Sequence, residues 1–225
     1  MQAPLPSLRW TLPGEIQVAW STAADGDQRD VHLREAFARP LLGSRRLIVP
    51  RQVHGVQIVQ IARHDAPDLG NVDGVVTADP TTALGAYGAD CPGVVLAAPD
   101  ALGIAHCGWR GTAGGMVERL CTALAQVSRT PRATWHALIG PGISGSRYEV
   151  DEPVLQAHQW PASALRPSQA SGRAYLDLPT VLEKNLRSAG ISAIDHSAVC
   201  TATDPRLHSF RHRGPGLVQL LVVWR

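Results

Sequence analysis

The sequence predicts one domain of the α/β (α+β) class, in which mixed β-sheets are layered with helices. Short apolar segments recur along the chain as they do in strands, whereas residues 112–127 and 176–189 carry apolar side chains at helical spacing. No linker, internal repeat or low-complexity tract divides the 225 residues. A composition of 44% hydrophobic and 18% charged residues is typical of a globular protein with a substantial core. We therefore expect residues 1–225 to form a single domain.

Most elements of the first half are predicted strands. Residues 1–14 carry three prolines and are expected to be an irregular lead-in, followed later by a polar loop over 22–29. A helix is predicted over 31–42, ending near Pro40 because proline lacks the amide hydrogen that a helix interior uses. The predicted strands are 16–21, 46–50, 56–62, 73–79, 83–89, 94–98 and 104–107, with a polar loop over 64–72.

The second half alternates helices with strands. The helix over 112–127 follows a glycine-rich turn, and the helix over 176–189 has Pro179 in its first turn and Gly190 as its stop. Residues 148–158 are predicted to begin another helix, and residues 160–172 and 201–216 are predicted loops. The remaining predicted strands are 134–139, 194–200 and 218–224.

Charge and hydropathy exclude two classes of partner. The net charge of +2, with basic residues that do not cluster, predicts no nucleic-acid surface. No apolar run approaches the roughly 18 residues of a membrane span, and prolines stand where the apolar part of a signal peptide would be. We therefore expect a cytoplasmic protein with reduced cysteines and no membrane partner. Because the cysteines form no C-x-x-C pair, neither a zinc ribbon nor a thioredoxin motif is expected.

Three ligand-type side chains stand at predicted strand ends. His54 lies in the connection PRQVHG, Cys91 follows an aspartate at a strand end, and His106 ends the next short apolar strand. Two imidazoles and one thiolate suit Zn²⁺, and three protein ligands leave the open fourth position of a catalytic site. The spacing matches no short metal motif. From residue types alone, a satisfied core histidine and a buried inert thiol are equally good interpretations.

Two segments could bind an anion. GWRGTAGG, with Arg110, Gly111 and Gly114, precedes a predicted helix, where backbone amides and a guanidinium would attract phosphate or a carboxylate. The alternative is a turn that lets helix and sheet pack closely. HSFRHRGPG places Arg211 among other basic side chains, and the alternative there is a solvated loop.

An ordered series of motifs resembles the YfiH-like, laccase-domain proteins, also called the multicopper polyphenol oxidase family and regarded as purine nucleoside phosphorylases. The resemblance runs from about residue 48 to residue 225. Its motifs are RQVHG (51–55), DGVVT (73–77), ADCPGVVL (89–96), HCGWRG (106–111), IGPGI (139–143), YEV (148–150), LDL (176–178), CT (200–201) and SFR (209–211).

The resemblance implies a layered α/β fold and a metal held by His54, Cys91 and His106, with zinc favoured over copper. The implied activity is phosphorolysis of adenosine, inosine and methylthioadenosine to the free base and ribose 1-phosphate, with adenosine deamination as a side reaction. The same three residues and Arg110 would be catalytic, and a purine nucleoside and phosphate would be the partners. Arg110, Gly111, Gly114 and Arg211 would bind substrate. A monomer or homodimer is expected, and no nicotinamide, flavin or pyridoxal cofactor is implied.

The chain departs from the family pattern in ways that bear on substrate range. Residues 1–45 are divergent, and Ser21-Thr22 leads into AADGD without the arginine-containing loop of the family. The other departures are Cys107 for alanine, Gly142 for cysteine, Leu207-His208 for an aromatic pair and Phe210 for tyrosine. Strand alternation predicts that Cys107 is an inert neighbour that points away from His106, and the alternative is a site of oxidation.

Three alternatives are retained. Cys91 with His106 could form a thiolate–imidazole pair for hydrolysis or deamidation, including the editing of a cell-wall precursor. A non-catalytic binding protein could keep the fold. An oxidase is disfavoured because the chain has no close H-x-H pair. Asp73, Asp90 and Glu149 are the carboxylates inside matched motifs, and the sequence does not rank them for proton transfer.

Overall fold

The computed structural model describes residues 7–62 and 69–225 and confirms the α/β class. The strands are β1 Leu8–Leu12, β2 Ile16–Trp20, β3 Arg46–Ile48, β4 Ile58–Ile61, β5 Gly74–Thr77, β6 Thr82–Gly88, β7 Gly93–Ala97, β8 Leu102–His106, β9 His136–Ile139, β10 Glu149–Val150, β11 Leu165–Pro167, β12 Ala174–Leu176, β13 Ala193–His196 and β14 Gln219–Trp224. The α-helices are α1 Val31–Leu42, α2 Trp109–Ala113, α3 Met116–Val127, α4 Glu152–Gln156, α5 Leu178–Ser188 and α6 Phe210–Arg213.

Two mixed sheets form the centre of the molecule. One has five strands in the order β1-β2-β14-β6-β3, and the other has six in the order β13-β9-β7-β8-β5-β4. Their facing sides enclose one apolar core, α1 covers the outer side of the five-stranded sheet, and α3 and α5 cover the outer side of the six-stranded sheet. A third sheet, β10-β12-β11, lies with α4 around a smaller core.

Strand alternation explains why the central strands are apolar on both faces. In β7, Val95 packs into the core between the sheets, whereas its neighbours Val94 and Leu96 pack towards the helices. Burying such a side chain contributes about 1.5–3 kcal/mol. The same alternation along β8 places His106 on the side of Ile104, at the strand end, and Cys107 on the opposite side.

The N-terminal part differs from the prediction. Residues 8–12 of the expected irregular lead-in form β1, which pairs antiparallel with β2 across a turn at Gly14 and Glu15, both with positive φ. Helix α1 has the predicted bounds, Val31–Leu42, and it includes Pro40 because Phe37, Ala38 and Leu42 are buried against the sheet and hold the last turn. Most of the loop predicted over 64–72 lies outside the described residues.

Five further segments differ from the prediction. The helix over 112–127 is divided into α2 and α3, because Gly115 takes the left-handed conformation at φ 81°. Residues 148–158, predicted to begin a helix, contain the strand β10 before α4. Residue 176, predicted to start a helix, ends the strand β12. The loops predicted over 160–172 and 201–216 contain β11 and α6 respectively. The strands β10, β11 and β12 pack around the third core, whereas α6 is capped locally by the Ser209 side chain, which accepts from the amide of His212. Within residues 7–62 and 69–225, each helix is too short or too polar to cross a membrane.

Candidate metal centre and active site

The fold brings His54, Cys91 and His106 together from three separate segments. His54 lies in the connection between β3 and β4, Cys91 between β6 and β7, and His106 at the end of β8. One potential ligand atom from each residue lies within 4.8 Å of the others. The two imidazole rings meet edge to face, with centroids 4.8 Å apart. Their role as ligands stays a prediction, but the grouping is the one that three-ligand metal chemistry requires.

Asp73 connects two of these residues. Its carboxylate, fully buried, accepts hydrogen bonds from the backbone amides of Val53 (3.1 Å), His54 (2.9 Å) and Gly55 (2.7 Å). It also lies 2.9 Å from Nδ1 of His106, and its main-chain carbonyl accepts from the His106 amide at 2.8 Å. Because an ionised carboxylate only accepts hydrogen bonds, Nδ1 carries the proton and Nε2 is left for a ligand bond.

In the absence of metal, electrostatics favour a charged pair formed by the Cys91 thiolate and the His106 imidazolium. Burial acts to raise the pKa of the Cys91 thiol, but hydrogen bonds and charge from His106 and His54 outweigh it and lower the pKa to about 6. Burial acts to lower the pKa of His106, but the hydrogen bonds to Asp73 and Cys91 raise it to about 9. For Asp73, burial is likewise outweighed by hydrogen bonds from His106 and the loop amides, so its pKa is lowered. A thiolate at neutral pH is the form that binds metal or attacks a substrate.

Gly108 allows the backbone to pass close to the three side chains. A Cβ atom there would lie 2.9 Å from Sγ of Cys91 and 3.5 Å from Cδ2 of His54. His54 itself has φ 61°, a left-handed conformation that turns the loop towards Cys91. Gly108 therefore fills a place in the site where a side chain would displace a candidate ligand.

Asp90 anchors the segment that carries Cys91. Its backbone has φ 100°, and its carboxylate accepts from Oγ1 of Thr201 at 2.5 Å and from the amide of Arg211 at 2.7 Å. Its carbonyl accepts from the amide of Ile143 at 2.8 Å. Thus the loop that contains Arg211 is tied to the residue next to Cys91.

Each of the two arginines predicted to bind substrate lies over an aromatic ring. The guanidinium carbon of Arg110 is 4.2 Å from the centroid of Trp109, and that of Arg211 is 4.9 Å from the centroid of Tyr148. Burial raises the pKa of Tyr148 to about 12, with a further increase from Cys91 that both arginines oppose. Tyr148 thus shares one electrostatic environment with Cys91 and both guanidinium groups.

Gly111 and Gly114 of the GWRGTAGG loop pack closely against the segment that contains residues 55 and 56. A Cβ on Gly111 would lie 3.2 Å from the carbonyl of Gly55, and one on Gly114 would lie 2.8 Å from Val56. These contacts fit the close-packing interpretation of the loop, and substrate binding by Gly111 and Gly114 stays a prediction.

Asp73 and Asp90 are separated from Glu149 by their surroundings. The Glu149 carboxylate accepts from Oγ of Ser168 at 2.5 Å and from Arg173 at 3.1 Å, and none of its hydrogen bonds involves a metal-ligand candidate. The sequence did not reveal the positioning roles of Asp73 and Asp90. The available signal for Asp73 was its place directly before an apolar strand. The signal for Asp90 was its place directly before a cysteine at a strand end.

Cys107 lies outside this chemistry, as strand alternation predicts. It is fully buried in the core between the six-stranded sheet and the helices. Burial raises the pKa of its thiol far above the ordinary value. All four cysteines are free, and Cys107 is an inert member of the core.

Comparisons with known proteins identify the family of the chain. Residues 18–224 match the family described as multi-copper polyphenol oxidoreductase laccase. A Deinococcus radiodurans protein named purine nucleoside phosphorylase is 37% identical over 164 residues, 71% of this chain and 62% of that protein. The chain therefore spans less than two thirds of that relative. A Mycobacterium tuberculosis protein of the same name is 34% identical over 188 residues, 81% of this chain and 74% of that protein.

A solved structure shows the same fold. A hypothetical protein YfiH from Bacillus licheniformis superimposes with a TM-score of 0.88 and 24% identity, over 99% of this chain and 97% of that one. Together with the family match over residues 18–224, this shows that the chain belongs to the YfiH-like, multi-copper polyphenol oxidoreductase laccase family.

Proposed function

We propose that the protein is a zinc-dependent purine nucleoside phosphorylase. The observation that carries the proposal is the convergence of His54, Cys91 and His106, in a chain whose relatives are named purine nucleoside phosphorylases. Nucleoside and phosphate are then the substrates. Adenosine, inosine and methylthioadenosine are the nucleosides proposed, with adenosine deamination as a side activity.

We propose zinc rather than copper because the donor set suits a catalytic zinc site. Two imidazoles and a thiolate of lowered pKa are borderline and soft ligands, and three such ligands leave one position open. His106 donates from Nδ1 to Asp73, the usual support for a histidine that binds metal through Nε2. When bound, zinc would supply a Lewis acid that polarises an oxygen of phosphate or water.

The arginines are suited to hold phosphate during phosphorolysis. A phosphate oxygen forms a bond to C1′ of the ribose while the bond from C1′ to the purine nitrogen breaks. The electron pair of that bond goes to the purine, which takes up a proton as it leaves. Arg110 and Arg211 can bind the phosphate oxygens and keep the nucleophile in place. Asp73 remains ionised because its pKa is lowered, so it positions His54 and His106 rather than supplying the proton.

The direct test is incubation of the purified protein with adenosine and phosphate. We expect adenine and ribose 1-phosphate to form only when phosphate is present, and Cys91→Ala to lose both zinc and activity. Arg166→Met, at an exposed position on β11, is the matched control and should keep full activity. No release of base from any purine nucleoside by the zinc-loaded protein would refute the proposal and favour a binding protein.

A second candidate is a cysteine hydrolase or deamidase. It is favoured by one observation, the lowered pKa of Cys91 beside His106, which is the arrangement of a thiolate nucleophile with its base. A metal-free protein that hydrolyses amides and is blocked by iodoacetamide would favour this candidate. About one zinc per chain with phosphate-dependent turnover would exclude it.

Location and assembly complete the proposal. Four free cysteines support a reducing compartment, and we propose the cytoplasm. We propose a monomer or homodimer that uses no nucleic-acid partner, consistent with a net charge of +2. Size-exclusion chromatography with light scattering tests the assembly.

A further inference from the structure

A cleft separate from the metal centre lies between α1 and β3. Its volume is about 390 Å³, in the range of about 300–1,000 Å³ that small-molecule sites occupy. It lies where α1 covers the outer side of the five-stranded sheet, whereas the candidate ligands lie at strand ends of the six-stranded sheet and in the loops beside them. It therefore has no part in the chemistry proposed above.

Three arginines line this cleft: Arg34, Arg39 and Arg45. Arg34 is held in place, because its Nη1 donates to the Tyr87 hydroxyl at 2.6 Å and to the Gln28 carbonyl at 3.3 Å. The exposed guanidinium of Arg39 has no hydrogen-bond or ion-pair partner among residues 7–62 and 69–225. Among the described residues, the guanidinium of Arg39 and the remaining guanidinium donors of Arg34 are therefore free of protein partners at the cleft.

The second observation is a buried donor without an acceptor. Nη1 of Arg45 donates to the Leu42 carbonyl at 3.3 Å, but its Nε is shielded from solvent and has no hydrogen-bond partner in the described part of the chain. Basic side chains near a helix C-terminus are favoured by the helix dipole, which accounts for Arg39 and for Nη1 of Arg45. It does not account for Nε, since an unsatisfied buried donor costs about 1–3 kcal/mol.

The rest of the lining indicates the chemistry of a ligand. Ala38, Leu42 and Leu47 are buried or half-buried and supply an apolar floor. Glu35 is the acidic residue of the lining, so the cleft carries an excess of positive charge. Guanidinium groups that converge on one space suit phosphate, because each can donate two parallel hydrogen bonds to its oxygens.

We propose that this cleft binds a small organic phosphate, with the phosphate between Arg39 and Arg45 and the apolar body on Leu42. Nε of Arg45 is shielded in the unliganded protein, so the Arg45 side chain must turn towards the cleft before Nε can donate to the phosphate. The inference stands independently of the proposed phosphorylase activity.

Calorimetric titration of the zinc-loaded protein with phenyl phosphate tests it. Arg45→Met should weaken binding at this site at least about tenfold, the effect of losing a hydrogen bond to a charged group. Arg39→Met, at an exposed position, should weaken it without affecting the fold, and Arg166→Met should not change it. Glu35→Gln should tighten binding roughly two- to fivefold, because a nearby negative charge is removed. A purely structural role of the arginines would not produce that gain.

The metal centre could bind the same probe, so Arg110→Met provides the separation. Binding that persists in Arg110→Met and is lost in Arg39→Met and Arg45→Met supports the cleft, whether or not the protein is a phosphorylase. Binding that is lost in Arg110→Met and unchanged in Arg39→Met, Arg45→Met and Glu35→Gln overturns the proposal. Equal binding of phenol and phenyl phosphate also overturns it, since no anion is then recognised.

Discussion

Replacement of Asp73 by asparagine tests how the candidate metal centre is positioned. The two side chains have nearly the same shape, but the amide has one acceptor oxygen and places an NH₂ group where the second oxygen was. In the native protein the carboxylate accepts from three backbone amides, those of residues 53–55, and from Nδ1 of His106. In Asp73→Asn, the NH₂ group must therefore face at least one donor.

The expected magnitude follows from those four hydrogen bonds. Each hydrogen bond to a charged group contributes about 1.5–3 kcal/mol, and a buried donor left unsatisfied costs about 1–3 kcal/mol. Some donors keep the remaining oxygen, so we expect Asp73→Asn to lower the free energy of unfolding by about 3–5 kcal/mol, the usual effect of breaking a buried pair. Loss of the support to His106 should also weaken zinc binding about 10- to 100-fold.

Urea unfolding and competition with a zinc chelator measure the two effects. Asp195→Asn is the matched control, because Asp195 makes the same carboxylate–histidine contact with Nε2 of His136 at 2.9 Å, but 56% of its side-chain surface is exposed. Asp195→Asn should lower the free energy of unfolding by no more than about 1 kcal/mol and leave zinc affinity unchanged. If both variants matched the wild type within 1 kcal/mol and in zinc affinity, the positioning role of Asp73 would be wrong.

Three other predictions concern the thiols and the glycine beside them. Cys107→Ala should retain zinc and activity and cost about 1–2 kcal/mol in urea unfolding, because Cys107 is a core side chain; loss of zinc in this variant would contradict its placement. Gly108→Ala should lose zinc while keeping its circular dichroism spectrum, since the new Cβ would lie 2.9 Å from Sγ of Cys91; unchanged zinc content would be the contrary result. In chelator-treated protein, the rate at which iodoacetamide alkylates Cys91 should be half-maximal near pH 6, because the lowered pKa keeps the thiolate present above that pH. Cys121, whose pKa is raised to about 11, should not react. A half-maximal rate for Cys91 near pH 9 would show that His106 and His54 do not stabilise the thiolate.

Residue types at strand ends singled out the candidate ligands, and the family resemblance favoured them over a core histidine and an inert thiol. His54, Cys91 and His106 stand in loops or at strand ends, where a sheet presents side chains without burying them in its core. Their convergence depends on β7 and β8 being neighbours, which hairpin-length spacing favours. The sequence could not show which carboxylate supports them. Asp73 contacts residues 18 to 20 positions before it and one 33 positions after it, and only the folded chain determines those distances.

Tertiary packing can also override a local preference. The bounds predicted for α1, residues 31–42, are those observed, and burial of Leu42 keeps the last turn helical beyond Pro40. Residues 8–12 pair with β2 because Leu8 and Leu12 are buried, and the prolines that suggested an irregular segment lie outside the strand. In each place, tertiary packing outweighed a local preference.

The central position of β14 has a consequence for the order of folding. It pairs with both β2 and β6, and the amide of Leu220 bonds the Ser21 hydroxyl across 199 positions of sequence. Asp90, next to Cys91, similarly depends on Thr201 and Arg211, 111 and 121 positions away. Closing such long loops is slow. We therefore expect the anchoring of Asp90 by Thr201 and Arg211 to form late in folding, and with it the final position of Cys91 beside the other two candidate ligands. A metal that binds them should slow unfolding far more than it accelerates folding.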